Sequence, residues 1–331
     1  MKGMILAAGL GTRFKPLTDY IPKPLIELSG KPIIDYSLDR LRSKGIRAVI
    51  INLHHRGEQI IEHLSGNPAF NDMHIEFSSE NELLGTSGGV KRAEYFFSED
   101  DFILLNSDML FDIDIDRLTG FHNSNEADIT LSLTSRGNQE RYGTIGLDDD
   151  FRVVRYLDTS ISEKERYTCI FKGIHIISPG VLKEIPENIF QDFSRHTYPY
   201  LLKKGFRIYG YISDEFWLPI GDLSQYLKVL KSLHSDMVPI DIPYPSVDKD
   251  IYISDKSQID PTVRIYPPVI ICDNVIVEAG CSIGPDVIIG NYCRVESNVT
   301  ITDSVLYSKV FLNEGLTIKY KLCTPYLTLD I

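Results

Sequence analysis

Apolar and polar positions fall into two regimes that meet near residue 240. In the first, short apolar runs at residues 4–8, 48–53, 74–77 and 102–106 have strand length and strand composition. Between them, residues 33–41, 59–64 and 89–96 carry apolar side chains at helical spacing. Strand and helix in alternation predict a mostly parallel sheet covered on both faces. After Ala127 the pattern turns strand-rich, over 128–133, 144–147, 151–157 and 170–177, and a last helix over 223–233 closes this half.

Residues 238–250, VPIDIPYPSVDKD, hold three prolines and little periodicity, which predicts a linker. From Ile259 onward the chain divides into hexads. The first place is always Ile or Val (Ile259, Ile265, Ile271, Val277, Ile283, Ile289, Val295, Ile301). The fifth is always Val or Cys (Val263, Val269, Val275, Cys281, Val287, Cys293, Val299, Val305). A six-residue period marks a β-helix, each hexad forming one side of a coil and stacking its aliphatic residues inward. Eight hexads make between two and three triangular coils, with Cys281 and Cys293 as small core hydrophobes. The domains expected are therefore 1–237, a linker at 238–250, and a repeat domain at 251–331.

Length and charge narrow the function. A chain of 331 residues exceeds what one compact core usually needs, in keeping with two domains. No apolar run reaches the length of a membrane span, and the N-terminal apolar stretch is too short for a signal peptide. The formal charge of −12 excludes a general nucleic-acid binder, which needs a basic footprint, but leaves room for a local anion site. Five cysteines without CxxC or zinc spacing fit a reducing compartment, so a cytoplasmic location is expected.

The chemistry concentrates in Leu6-Ala7-Ala8-Gly9-Leu10-Gly11-Thr12-Arg13, followed by Pro22-Lys23-Pro24-Leu25. Here a strand runs into glycines whose backbone can approach a ligand closely and whose N–H groups can nest phosphate oxygens. Arg13 and Lys23 add cations, and the flanking prolines hold Lys23 extended. The loop lacks the third glycine of a dinucleotide fingerprint and the GK[ST] of a Walker loop. Asn106-Ser107-Asp108 ends an apolar strand, where open α/β sheets bind ligands. His175 alternates with apolar residues and reads as a structural histidine.

Taken together, the segment resembles the signature GxGTRxxPLTxxxPKPL of the sugar-1-phosphate nucleotidyltransferases, with Gly9, Gly11, Thr12, Arg13, Pro16, Leu17, Thr18, Pro22, Lys23, Pro24 and Leu25 in place. The hexads after it make the chain similar to the mannose-1-phosphate guanylyltransferase group. The resemblance implies a Rossmann-like, mostly parallel nucleotidyltransferase domain followed by a short left-handed parallel β-helix. It also implies that a nucleoside triphosphate and a sugar 1-phosphate yield an NDP-sugar, GDP-mannose or a related GDP-sugar, and pyrophosphate, with Mg²⁺ as cofactor. Nucleotide contacts would come from Leu6, Ala8, Gly9, Gly11, Thr12, Arg13 and, in a segment resembling LGTxGG, Gly85, Thr86 and Gly88. Sugar contacts would come from Tyr142, Gly143, Asp158, Lys172 and Gly173. Arg13 and Lys23 would act on the phosphates, and Asp108 would hold the metal. Self-association through the coils is expected.

Two departures stand out. Where the family reads Glu-Lys-Pro, this chain has Asp158-Thr159-Ser160, leaving Lys172 on the neighbouring strand as the nearest replacement cation. Where the family reads W-x-D-I-G-T, this chain has Trp217-Leu218-Pro219-Ile220-Gly221-Asp222. Asp222, or Asp214 and Glu215, is left to supply the second metal ligand; otherwise Asp108, phosphates and water hold the metal. Alternatives are uridylyl or thymidylyl transfer, or a catalytically impaired regulatory subunit. Acyl transfer by the coils is excluded, because all eight histidines precede residue 235 and that chemistry generally relies on a histidine base in or beside the coils.

Overall fold

The computed structural model describes residues 1–97, 99–137, 139–233 and 242–331. The expected boundary at 237/238 and the first four linker residues lie outside the described residues. Two compact units emerge: Met1–Thr12, Ile21–Leu25 and Ile33–Pro219 form one, and Arg13–Tyr20, Ile26–Pro32 and Ile220–Ile331 the other.

The first unit is built on a ten-stranded sheet. Lys2–Leu6 is an interior strand, paired in parallel with Ala48–Leu53 on one side and Phe102–Asn106 on the other. His74–Ser79 extends the sheet beyond Ala48–Leu53, also in parallel. Successive residues of these strands serve opposite faces, as the two-residue period of a strand requires. Met4, Ile50 and Leu104 join one core with Val90 and Phe97, while Ile5, Ile51 and Leu105 join another with Leu38 and Ile60. Beyond Phe102–Asn106 the direction reverses: Tyr167–Ile177 is antiparallel to it, and Ile129–Thr134 is antiparallel to Tyr167–Ile177. The chain therefore builds outward from Lys2–Leu6 on one side and crosses back to add Phe102–Asn106 on the other. That reversal is a topological switch point, and it opens a crevice at the carboxyl ends of both strands.

The second unit contains three stacks of short parallel strands, one per side of a β-helix. One stack runs Ile251–Ile253, Val269–Ile271, Val287–Ile289, Ser304–Leu306 and Lys321–Cys323. The others begin at Gln258–Ile259 and Arg264–Ile265 and hold four strands each. Four coils are present, where the hexads alone predicted two to three. The repeat begins before Ile259 and continues past Val305 through strands that break the hexad rule. The break is a missing residue: Ser282 pairs with Thr300, eighteen on, but Val287 pairs with Ser304, seventeen on. Ser304, not Val305, therefore stands opposite the inward Val287 and is fully buried. Its hydroxyl donates to the Thr302 carbonyl and accepts the Lys321 N–H, so the polar group in the core is satisfied. Cys281 and Cys293 are buried as expected, and burial pushes both thiols up, Cys293 to about 12.

Helix Leu223–Ser232, read from sequence as closing the first half, belongs to the second unit. Tyr226 Oη donates to the Glu27 carbonyl at 2.6 Å and accepts from Tyr307 Oη at 2.7 Å, which ties the helix to the coils. The helical period that betrays the helix carries no information about which core its apolar stripe will cover.

Candidate active site

The crevice is lined first by the loop leaving Lys2–Leu6. Gly9 needs no small side chain for internal packing, since a Cβ there would meet nothing within 4 Å. Gly11 has a φ of 63°, in the left-handed region that favours glycine. Leu6, at the strand end, is partly buried, Ala8 is buried, and Gly9 and Thr12 are exposed. Arg13 is exposed and sits in the short turn Thr12–Phe14, assigned with its successors to the second unit.

Lys23 and Asp108, 85 residues apart in sequence, meet: Lys23 Nζ donates to Asp108 Oδ2 at 2.5 Å. The lysine side chain is 12% exposed and the aspartate 30%, so the pair is largely shielded from solvent. Asp108 follows Phe102–Asn106 and precedes Met109–Phe111, which forms a two-stranded antiparallel ladder with Trp217–Pro219. In that ladder Pro219 is opposite Met109. The position where the family signature carries its second carboxylate thus lies beside Asp108, and here it offers no side-chain ligand.

Asp222 serves a helix end. It caps helix Leu223–Ser232, its Oδ1 accepting the Gln225 N–H at 2.8 Å, and it groups with the second unit. Among the described residues, no cluster of three or more His, Cys, Asp or Glu side chains could enclose a metal. A single carboxylate still suits Mg²⁺, which commonly keeps waters and takes only one or two protein carboxylates alongside substrate phosphates.

Around the expected sugar pocket, Gly173 sits where the pairing of Tyr167–Ile177 with Ile129–Thr134 breaks register. Its φ is 81°, and a Cβ would come within 2.7 Å of Asn106 Nδ2. Tyr142 packs edge-on to Trp217 at 5.8 Å. Gly143 has a φ of 72° and faces the Leu157 side chain, which a Cβ would strike at 2.4 Å. Asp158 is exposed in the turn between Val153–Tyr156 and Thr159–Ser160.

Lys172 is engaged by its own chain. Only 1% exposed, it donates to Ser213 O and Ser213 Oγ, both at 2.8 Å, and to Glu215 O at 3.3 Å. Burial pulls its ammonium down to about 8, partly countered by Glu215 and Asp214. Its observed work is to hold the segment that leads into Trp217–Pro219.

Gly85 and Gly88 also have packing reasons. A Cβ on Gly85 would approach Gln191 O to 2.4 Å, and one on Gly88 would approach Ile189 O to 3.0 Å. The N–H groups of Ser87 and Gly88 both donate to Gln191 O at 3.1 Å, and Thr86 Oγ1 donates to Asp192 Oδ2. The backbone after Gly85 is thereby bound to the 189–192 loop.

Sequence reading passed over Asn52 and Glu80, both buried at the carboxyl ends of parallel strands. A signal existed: Asn52 is a polar residue near the end of an apolar run, as Asn106 is. His175 is fully buried beside Phe171, Phe193 and Tyr198, hydrogen-bonded to the Tyr198 hydroxyl, and burial holds its pKa down at about 3. It is a structural residue, as expected.

Comparison with known proteins identifies the family. The family described as nucleotidyl transferase matches residues 2–236, and bacterial transferase hexapeptide (six repeats) matches residues 273–303. A UTP–glucose-1-phosphate uridylyltransferase of Synechocystis is 29% identical, covering 97% of this chain and 87% of that protein. A mannose-1-phosphate guanyltransferase of Yarrowia lipolytica is 30% identical, covering 80% and 73%. The crystal structure of HddC from Yersinia pseudotuberculosis complexed with GMP-PN matches with a TM-score of 0.57 and 28% identity, over 69% of this chain and 96% of that one. Matched over most of its length by that family and by these relatives, the chain belongs to the nucleotidyl transferase family, among the sugar-1-phosphate nucleotidyltransferases that carry hexapeptide repeats.

Proposed function

We propose that this protein is a cytoplasmic enzyme forming a GDP-sugar, GDP-mannose or a close relative, from GTP and a sugar 1-phosphate. The observation that carries the reading is the Lys23–Asp108 pair at the carboxyl edge of the switch point. A phosphate oxygen of the sugar 1-phosphate attacks the α-phosphorus of the nucleotide in line. The bond from the α-phosphorus to the bridging oxygen breaks, and pyrophosphate leaves with the electron pair. The attacking phosphate is already ionised at neutral pH, so no general base is needed. Lys23 draws the two phosphate groups together, and Arg13, next in the chain to the Gly9–Thr12 loop, holds the departing phosphates. When bound, Mg²⁺ offsets charge on the phosphoryl oxygens. Asp108 would hold it, alongside phosphates and water. Tyr142, Gly143, Asp158 and Gly173 border the sugar. Guanine is favoured over uracil by the several mannose-1-phosphate guanylyltransferases among the relatives and by the GMP-PN complex of the Yersinia protein.

Pro219 supports a second reading, a nucleotide-binding regulatory subunit that turns over poorly. Pyrophosphate release with Mg²⁺, measured for five nucleoside triphosphates against a panel of sugar 1-phosphates, separates the two. Turnover with GTP and mannose 1-phosphate is the expected result. Silence across the panel with nucleotide still bound would leave only the regulatory reading.

A further inference from the structure

We infer that Asn52 and Glu80 form a one-way hydrogen-bond relay that positions the phosphate loop and so sets nucleotide affinity; the inference rests on the nucleotide site proposed above. Asn52 Oδ1 accepts the Ala7 N–H at 2.8 Å, at the start of the loop. Asn52 Nδ2 donates to Glu80 Oε1 at 2.7 Å, and Glu80 Oε2 accepts the Leu84 N–H at 2.9 Å. Both side chains are buried, Asn52 2% exposed and Glu80 4%.

The direction of each bond is forced. A backbone N–H can only donate, so Ala7 requires the amide oxygen of Asn52 to face it. That turns the Asn52 NH₂ toward Glu80, which must accept. The Leu84 N–H makes the same demand on the other Glu80 oxygen. Only an acceptor at both oxygens of residue 80 satisfies the chain, and a carboxylate is the side chain that provides it. Three segments are thereby locked together: the start of the phosphate loop, the end of Ala48–Leu53, and the turn before Gly85. Room for the lock depends on Gly89, where a Cβ would come within 2.6 Å of both Asn52 Nδ2 and Glu80 Oε1. Neither Asn52 nor Glu80 needs to touch a ligand for this role. They act through Ala7 and are positioning residues.

The polarity argument gives a rescue test. Glu80→Gln puts a donor where an acceptor is required, and Asn52→Asp puts an acceptor opposite an acceptor. Together they restore every bond: the carboxylate introduced at 52 accepts from Ala7 and from the amide introduced at 80, whose oxygen accepts from Leu84. GTP and UTP are titrated calorimetrically into the full-length protein and the three variants, with thermal melting followed in parallel. For whichever nucleotide the wild type binds, each single variant weakens binding about tenfold, and the double variant recovers most of it. Gly89→Ala reproduces the single-variant loss without altering a polar group. Binding unchanged in both single variants, or lost without recovery in the double, overturns the relay while the nucleotide site stands. A wild-type protein that binds neither nucleotide overturns the site and the relay with it.

Discussion

Lys23 and Asp108 face each other across 2.5 Å, a cation from a proline-flanked loop and an anion from the end of a central strand. The mechanism proposed above gives the two separable tasks. Lys23→Ala should lower kcat by about 10²–10³-fold, the usual loss for one electrostatic group aimed at a reacting phosphate or oxyanion. Asp108→Asn should instead raise the Mg²⁺ concentration needed for half-maximal rate. Pyrophosphate release across a Mg²⁺ series distinguishes them, and equal effects of both variants on the Mg²⁺ requirement would contradict the division of roles.

Pro219 stands in the ladder opposite Met109, next to Asp108 in the chain. Pro219→Asp places a second carboxylate there. Its expected consequence is a several-fold fall in the half-saturating Mg²⁺ concentration, because each added carboxylate tightens a hard-cation site. An unchanged Mg²⁺ requirement would mean that position 219 does not reach the metal.

Lys172 titrates at about 8 in the folded chain, against an ordinary value of 10.5, because it is buried. Between those values the unfolded chain binds more protons than the folded one, so stability from this site rises with pH over that window. Below pH 8 the full cost of the buried charge is present, on the order of 3 kcal/mol. Lys172→Met removes the titration. The wild-type minus variant difference in unfolding free energy should therefore climb between pH 8 and 10.5. Parallel curves from chemical denaturation at a series of pH values would show that Lys172 is not held as described.

The sequence alone determined what depends on local rules. Apolar runs marked the central parallel strands, since a strand buried on both faces has no polar alternation to confuse the reading. Gly9, Gly11 and Lys23 marked a candidate phosphate loop, because backbone freedom and charge are properties of the residues themselves. The hexads declared coils because stacking repeats one environment every turn.

Tertiary structure decided whatever depends on distant partners. It brought Lys23 to Asp108 and bound Lys172 to Ser213 and Glu215. Helix Leu223–Ser232 went to the coils through Tyr226 and Tyr307, and the inward place went to Ser304 after one residue was lost from a turn. It also made Asn52 and Glu80 a single device. An amphipathic stripe or a buried donor states only that it needs a partner; which partner arrives is set by packing among segments tens to hundreds of residues apart.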